Sequence, residues 1–484
     1  MLSRRGALFV WFCGCSLIFV VFFVRGLIFM DPDFGWHLRM GQTILERGIP
    51  ETDQFSYTMP SYPHVDHEWL ADVVVAKIYP IVGNEWLAAI DAGLVLLAIV
   101  VSLFQFPVRS KHLLGQTLAT MSVLLLGAAA LFFYARVRFL VVTWVFFSIL
   151  LWLTFTQRMR TRWRWVVPPL FVIWVNLHGG YMAGLLVLGF YVTVRSVQER
   201  RVPTPELGIL TLSLLASLLN PYGLRIWGEV WSSVTDVRLW QRVQEWMPAF
   251  HFINPALPVF LAITGVLLVR YRHRIIAEQW IFFFWLIAGF WSQRHMPLFL
   301  LSVLPLVRRA AGYLVEEVVS SSRTQFRLLA GLFVMLLIAA GVFAFQVSYV
   351  FRQARFVSEE LFYPRNAIHF LRANPSSGEI FSRYDWGGYL LWKLPEKLVF
   401  LDGRMPSWRW EAPSPSESDS AFDEANALVW AAADFTPVSE KYGIDTVLWS
   451  TKPEKRQDFL YRLVNSGWSE IYRDEVAVVY RKPP

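Results

Sequence analysis

Residues 31–79 read DPDFGWHLRMGQTILERGIPETDQFSYTMPSYPHVDHEWLADVVVAKIY, a long polar segment between two apolar stretches of the chain. The stretch before it, residues 7–29, is apolar and long enough to cross a bilayer core about 30 Å thick. Arg4 and Arg5 precede that stretch, so the N-terminus is expected inside and residues 31–79 outside. Both ends of this first outer loop have apolar residues at helical spacing, which predicts two short surface helices.

The remainder of the chain has the composition of a membrane protein. Of its 484 residues, 55% are hydrophobic and only 17% are charged. The apolar stretches predict a polytopic α-helical membrane protein with about eleven transmembrane helices in residues 1–350 and a second large outer loop at 220–254. Eleven crossings from an inside N-terminus would place residues 351–484 outside. The formal charge of +8 is concentrated in alternate loops, which indicates orientation in a plasma (inner) membrane rather than nucleic-acid binding.

The C-terminal segment, residues 351–484, is no longer membrane-like and is predicted to form a small soluble α/β domain on the extracytoplasmic side. A flexible loop is expected at 411–420, where Pro and Ser are frequent. Asp402 and Arg404 in FLDGR either bind a sugar or form an ordinary turn. The sequence predicts helices at 363–375 and 455–467, strands at 397–404 and 444–450, and a terminal hairpin at 469–482.

The first outer loop also contains the strongest candidates for chemistry. Asp31 and Asp33 begin it, and His37 follows Asp33 by one helical turn; Asp53, His67 and Glu68 come later. Carboxylates at a membrane surface can hold a divalent cation such as Mg²⁺ or Mn²⁺, or one of them can act as a general base toward a hydroxyl group. The alternative is structural, because acids also begin helices.

Two further groups of polar residues are expected on the outer side. Arg138 in one short turn, and Arg294 with His295 in another, could bind a phosphate, since Arg pairs well with phosphate oxygens. Snorkelling toward the interface is the competing interpretation. Asn176 and His178 lie between two abbreviated apolar segments, where a broken helix could open a ligand cavity or simply make a tight turn.

The stretch DPDFGWHLRMGQTILERGIPETDQFSYT, followed by HEWLADV, resembles the first extracytoplasmic loop of bacterial GT-C membrane glycosyltransferases. This superfamily includes protein mannosyltransferases, oligosaccharyltransferases and the arabinosyltransferase that modifies lipid A. The resemblance implies a sugar donor linked to polyprenyl phosphate, a lipid, glycan or protein acceptor, and no organic cofactor. It also implies that Asp31 or Asp33 is the catalytic base or a metal ligand. The DPD motif differs from the DxD of soluble nucleotide-sugar enzymes, because it lies at a helix end.

The competing hypotheses are a transporter or flippase for a lipid-linked glycan, and a non-catalytic component of the cell envelope. A transporter usually carries ionisable residues in mid-span for coupling. Only Arg25, Asp91 and Glu278 fall within or at the ends of apolar segments in this sequence, each close to an expected interface. This distribution favours the transferase.

Overall fold

The computed structural model describes residues 3–29, 31–106, 112–319, 325–354, 359–452 and 457–482. Helices dominate the described chain. Their bounds, in chain order, are α1 Arg4–Ile28, α2 Phe34–Arg47, α3 Trp69–Leu103, α4 Leu113–Phe132, α5 Leu140–Phe155, α6 Val167–Leu177, α7 Tyr181–Glu199, α8 Thr204–Ala216, α9 Arg225–Thr235, α10 Leu239–Arg242, α11 Ala256–Arg270, α12 Ile281–Trp291, α13 Met296–Val319, α14 Gln325–Ala354, α15 Arg365–Ala373, α16 Gly387–Lys393, α17 Ala421–Val429, α18 Thr436–Lys441 and α19 Gln457–Asn465.

The chain forms two compact units, neither of which is continuous in sequence. The first, here called the helical unit, comprises Met1–Leu27, Asn84–Leu224 and Trp240–Gln353. The second, here called the mixed unit, comprises Ile28–Gly83, Arg225–Leu239 and Ala354–Pro484. The boundary at residue 83 falls inside α3, where Gly83 has φ +69° and interrupts the helical backbone. Glycine is favoured there because it has no Cβ to clash at positive φ.

The helical unit contains long apolar helices with very different degrees of burial. In the described residues, six helices are long and apolar enough to cross a membrane, and three shorter apolar helices accompany them. Most of α4 and α13 is buried inside the protein, whereas only 22% of the apolar window of α1 and of α14 is buried. Apolar side chains that face outward along a whole helix match the hydrocarbon of a bilayer.

Each of the eleven predicted transmembrane segments contains a helix, but their lengths differ. Six coincide with the long helices, and the other five correspond to α5, α6, α8, α11 and α12, which have 11 to 16 residues. A helix of 11 residues is only about 16 Å long, at 1.5 Å per residue. The membrane character of the helical unit is therefore clear, whereas the count of eleven crossings and the orientation of both termini stay predictions.

The mixed unit is built around a four-stranded sheet, counted over the described residues, with the order β1-β2-β4-β3. Its strands are β1 Glu379–Ser382, β2 Ile444–Ser450, β3 Ser469–Arg473 and β4 Ala477–Arg481. β1 and β2 are parallel, and the other neighbours are antiparallel. The structure confirms the α/β character, the strand at 444–450, the terminal hairpin and the two helices predicted at 363–375 and 455–467. Residues 455 and 456 of the second predicted helix lie outside the described residues.

The predicted strand at 397–404 is wrong for most of its length, and the reason lies in the first outer loop. Only Val399 makes a strand-like bridge there, to Ser56. Its N–H donates to the carbonyl of Phe55, and its carbonyl accepts from the N–H of Tyr57. A short apolar run of this length is typical of a strand and of a buried loop, so the sequence alone does not distinguish the two. The loop at 411–420 has no helix or strand, and it is held by hydrogen bonds such as Ala412 N to Asp419 Oδ1.

The first outer loop and the C-terminal segment share one hydrophobic core. Trp36, Met40 and Phe55 from the loop pack in the same cluster as Ile368 and Tyr389 from the C-terminal segment. This cluster therefore contains residues of both segments, and each segment completes the part of the core that the other contributes. The sequence-based division at residue 350 assigned the loop to the membrane part, whereas its packing groups it with residues after 353.

Two glycines allow α2 and α16 to pack closely. A Cβ at Gly35 would overlap the carbonyl of Gly388, and a Cβ at Gly388 would overlap the carbonyl of Pro32. We expect Gly388→Ala to destabilise the mixed unit by about 1–3 kcal/mol, because the backbones must move apart. Gly228→Ala is the matched control, since a Cβ there meets nothing within 4 Å. Unfolding followed by tryptophan fluorescence in detergent measures both; equal midpoints for the two variants would contradict this packing.

Candidate active site

The acidic pair lies just before α2, and its two members differ in environment. Asp31 is buried, and its Oδ1 accepts a hydrogen bond of 3.0 Å from the backbone N–H of Asp33. Asp33 occupies the N-cap position of α2, but its side chain makes no capping hydrogen bond. Its Oδ1 instead lies against Gly403, in space that any larger residue at that position would fill. Asp31 therefore shapes the turn, while the partly exposed carboxylate of Asp33 is directed at the 402–404 turn.

The 402–404 turn is held by a buried network of ions. Arg404 donates to Asp402 at 2.9 and 2.6 Å, and its second terminal nitrogen lies 2.8 Å from Asp53 Oδ1. Asp53 also accepts from the backbone N–H groups of Phe55 and Ser56. Burial opposes the charge on Arg404, but Asp402 and Asp53 outweigh it and raise the pKa of Arg404 above its ordinary value. Asp53, predicted as a pocket residue, is thus a structural partner of Arg404.

A second polar cluster lies around His37. Its Nδ1 is 2.7 Å from Asp72 Oδ1, and its Nε2 is 3.3 Å from Glu68 Oε2. Glu68 also approaches His67, at 3.8 Å. Burial raises the pKa of Asp66, although the hydrogen bond that its Oδ1 accepts from the backbone N–H of Glu68 opposes the shift.

Burial also affects the histidine at the centre of this second cluster. It lowers the pKa of His37, although the charges of Glu68, Asp66 and Asp31 oppose the shift. His37, His67 and Glu68 thus lie close together, while their place in a pocket stays a prediction. Over the described ranges, no group of three or more His, Cys, Asp or Glu side chains has the arrangement of a metal site.

In the helical unit, the two arginines predicted to bind phosphate converge on one carboxylate. Arg138 and Arg294 each lie 2.5 Å from an oxygen of Glu245. The guanidinium of Arg294 also lies 4.9 Å from the ring centre of Trp246. Burial opposes ionisation of Glu245, but Arg294, Arg138 and Arg136 outweigh it and lower its pKa to about 2. Three arginines around one ionised carboxylate leave a net charge of about +2, an environment that attracts anions.

His295 lies beside this arginine cluster but is packed between aromatic rings. Its ring centre is 6.3 Å from those of Trp246 and Trp285. Its Nδ1 is buried and has no hydrogen-bond partner among the residues that the structure describes. The adjacent segment is fixed by the backbone bond from Gln293 N–H to the carbonyl of Met247, at 2.9 Å. His295 is thus packed among aromatic rings beside Arg294, and its role toward phosphate stays a prediction.

The break between α6 and α7 is stabilised by its own polar residues. Asn176 donates to the carbonyls of Val172 and Leu219, at 2.7 and 2.9 Å, so it joins α6 to the segment that follows α8. These bonds give Asn176 a structural role. Such an amide satisfies carbonyls that no water could reach inside a membrane.

His178 accepts two hydrogen bonds at a single nitrogen. The N–H of Gly180 donates to Nδ1 at 2.8 Å, and Thr143 Oγ1 lies 2.8 Å from the same atom while accepting from Trp174 Nε1. The Thr143 hydroxyl therefore donates to Nδ1, and a neutral His178 carries its proton on Nε2. The side chain is buried and its tautomer is determined by these contacts.

Several residues that complete these clusters were not predicted from the sequence. Glu245 is an ordinary acid in an amphipathic stretch, and only its two arginine partners distinguish it. His64, Asp66 and Asp72 flank His67 and Glu68 in HVDHEWLAD, where the density of acids and histidines was the available signal. Asp402 and Arg404 were considered as sugar ligands, but most of their polar groups are occupied by each other and by Asp53.

The sequence matches no family model, and it matches no curated protein. A solved structure that matches it is the crystal structure of ArnT from Cupriavidus metallidurans bound to undecaprenyl phosphate. The TM-score is 0.56, the sequence identity is 15%, and the match covers 99% of this chain and 98% of the ArnT chain. At this identity the similarity defines the fold. The chain is a membrane protein with the fold of ArnT.

Proposed function

We propose that this protein is an integral membrane glycosyltransferase. It moves a sugar from a polyprenyl-phosphate donor to a lipid, glycan or protein acceptor on the outer face of the membrane. The observation that carries this function is the convergence of Arg138 and Arg294 on Glu245 in a chain with the ArnT fold. Such a cluster suits an anionic lipid headgroup, and the ArnT structure contains undecaprenyl phosphate.

In the proposed reaction, an acceptor hydroxyl oxygen forms a bond to the anomeric carbon of the donor sugar. The bond from that carbon to the phosphate oxygen breaks, and its electron pair stays with the departing polyprenyl phosphate. The carboxylate of Asp33 takes the hydroxyl proton. Asp31 keeps the turn before α2 in place, because its Oδ1 accepts from the N–H of Asp33.

The arginine cluster has a catalytic as well as a binding role in this reaction. A sugar-linked polyprenyl phosphate carries one negative charge, and the departing phosphate gains a second. A net charge of about +2 therefore stabilises the transition state more than the bound donor, which is the requirement for catalysis. Glu245 stays ionised at neutral pH, since its pKa is about 2. It holds Arg138 and Arg294 in position, and its negative charge neutralises part of their positive charge.

Replacing either arginine by glutamine should weaken binding of undecaprenyl phosphate by about 10- to 100-fold, the effect of losing one charge-assisted hydrogen bond. Native mass spectrometry in nanodiscs measures the affinity. Arg270→Gln is the control, because Arg270 pairs with Glu317 at an exposed position of the same unit. Equal affinities for all three variants would remove the phosphate-binding role from Arg138 and Arg294.

The function itself is tested with the purified protein in nanodiscs. Undecaprenyl-phosphate hexoses and pentoses are added with acceptor lipids, and consumption of the donor is followed by mass spectrometry. Consumption that depends on Asp33 supports the transferase. Binding without consumption under any acceptor supports the transporter, and absence of binding supports the non-catalytic component of the cell envelope.

A divalent cation is tested in the same assay. Mg²⁺ or Mn²⁺ held by Asp31 and Asp33 would neutralise phosphate charge. In the described part of the chain, no group of three or more His, Cys, Asp or Glu side chains is arranged to hold a metal ion, so no step is assigned to one. Dialysis against EDTA, followed by addition of Mg²⁺ or Mn²⁺, shows whether transfer depends on the cation.

A further inference from the structure

Two buried side chains of the mixed unit have polar atoms that the reaction described above does not use. The indole Nε1 of Trp36 and the imidazole Nε2 of His64 have no hydrogen-bond partner within the described ranges. Trp36 is 8% exposed and His64 is 5% exposed. A buried donor or acceptor without a partner is costly, so such groups in a native fold usually meet a ligand or an ordered water.

Trp36 borders the 402–404 turn, and His64 is connected to that turn through the ring of Trp408. A Cβ at Gly403 would lie 3.3 Å from Trp36 Nε1 and would overlap Asp33 Oδ1, so the indole N–H and the carboxylate face one small region. The ring of His64 lies 5.5 Å from that of Trp408, and Trp408 in turn lies 5.1 Å from the guanidinium of Arg404. These groups come from the first outer loop and from the C-terminal segment of the same unit.

The charges at this turn select the class of ligand. Arg404 is the cation of the turn, and Asp53 and Asp402 already pair with it. With the carboxylate of Asp33 the local balance is negative, which disfavours phosphate and other anions. Burial and the charge of Arg404 hold the pKa of His64 well below its ordinary value, so the imidazole is neutral. One N–H donor, one neutral imidazole and one carboxylate acceptor together match the hydroxyl groups of an uncharged sugar ring.

We infer that Trp36 and His64 form a sugar-binding subsite beside Asp33, in which the indole N–H and the imidazole bond hydroxyl groups of a pyranose or furanose ring. The subsite rests on the proposed transferase function, and it takes either the sugar of the donor or that of a glycan acceptor.

The experiment compares Trp36→Phe and His64→Leu with a matched control, Trp410→Phe, whose indole N–H is already bonded to the carbonyl of Ser418. The probes are undecaprenyl-phosphate hexose, undecaprenyl phosphate without sugar, and free methyl glycosides. Affinities are measured by native mass spectrometry for the lipids and by saturation-transfer NMR for the glycosides. His64→Gln is added because its amide can replace an imidazole hydrogen bond.

If the donor sugar occupies the subsite, Trp36→Phe and His64→Leu weaken binding of the sugar-linked lipid by about 5- to 10-fold and leave undecaprenyl phosphate unchanged. If an acceptor sugar occupies it, the same variants weaken binding of methyl glycosides instead. In both cases Trp410→Phe has no effect and His64→Gln restores most of the affinity. Unchanged affinities for both the sugar-linked lipid and the methyl glycosides, in variants that unfold at the wild-type temperature, would overturn the subsite. Trp36 Nε1 and His64 Nε2 would then bond ordered water instead.

Failure of the subsite and failure of the transferase function give different results. The affinities are measured without turnover, so they report on the subsite even if the wild-type protein consumes no donor. Conversely, wild-type transfer with unchanged affinities in all four variants retains the transferase and removes the subsite alone. If Trp36→Phe lowers the unfolding temperature, the two His64 variants decide the result.

Discussion

Replacing Asp33 by asparagine is expected to lower the rate of sugar transfer by about 100- to 10,000-fold, the usual contribution of a general base. The carboxylate has no side-chain capping bond to α2, so the amide should leave that helix intact. Its approach to Gly403 requires only an oxygen of the same size, which asparagine retains. The measurement is the initial rate of donor consumption at saturating undecaprenyl-phosphate sugar.

Asp31→Asn is the matched control for this change. The amide oxygen of asparagine can still accept the hydrogen bond from the N–H of Asp33, so the turn should persist. We expect transfer within about 5-fold of the wild-type rate, because the loss of a side-chain charge alone does not remove this bond. A large loss in Asp31→Asn with none in Asp33→Asn would exchange the two roles. Wild-type rates in both would exclude the acidic pair from the reaction.

The largest expected effect on stability comes from Arg404→Met. This change leaves Asp53 and Asp402 buried without their common cation; the side chains of Arg404 and Asp53 are 3% and 0% exposed. Removing one partner of a buried ion pair costs about 3–5 kcal/mol in the free energy of unfolding. The loss should affect the mixed unit, in which Arg404 also packs against the rings of Phe55 and Trp408.

Arg473→Met provides the comparison at a surface position of the same unit. Arg473 pairs with Glu470, and both side chains are more than a third exposed. Such pairs contribute about 0–1 kcal/mol, because solvent screens them. Urea denaturation in detergent micelles, followed by tryptophan fluorescence, measures both variants. A similar small loss in the two would show that the network around Arg404 does not hold the 402–404 turn.

Much of the fold could be predicted from local sequence pattern. The apolar segments of the helical unit and the strands and helices of the C-terminal segment are visible in the sequence, because burial in lipid or in a core imposes a period on the residues. Run length alone is a weaker guide, which explains the strand wrongly predicted at 397–404. There, Val399 pairs with residues more than 300 positions away, and no local pattern reports such a partner.

The candidate site could be predicted only in part, for the same reason. Asp33, Arg138 and Arg294 are recognisable as types of residue at expected places. The position of Glu245 between the two arginines, and of Arg404 between Asp53 and Asp402, depends on contacts between distant segments. The same residue types at exposed positions, without these partners, would not indicate a site. Burial and partner geometry, rather than residue type, separate structural ion pairs from residues available to a substrate.

By itself, the sequence determined that this chain is a membrane protein with a mixed α/β segment after its last apolar stretch. The length of each long apolar segment follows from the thickness of a bilayer and the rise per residue of a helix. Only the tertiary structure decided that residues 28–83 fold with the C-terminal segment, that Asp33 faces Gly403 while Asp53 serves Arg404, and that one glutamate joins two arginines. Those arrangements arise from packing and charge pairing between residues far apart in the chain, which local pattern does not encode.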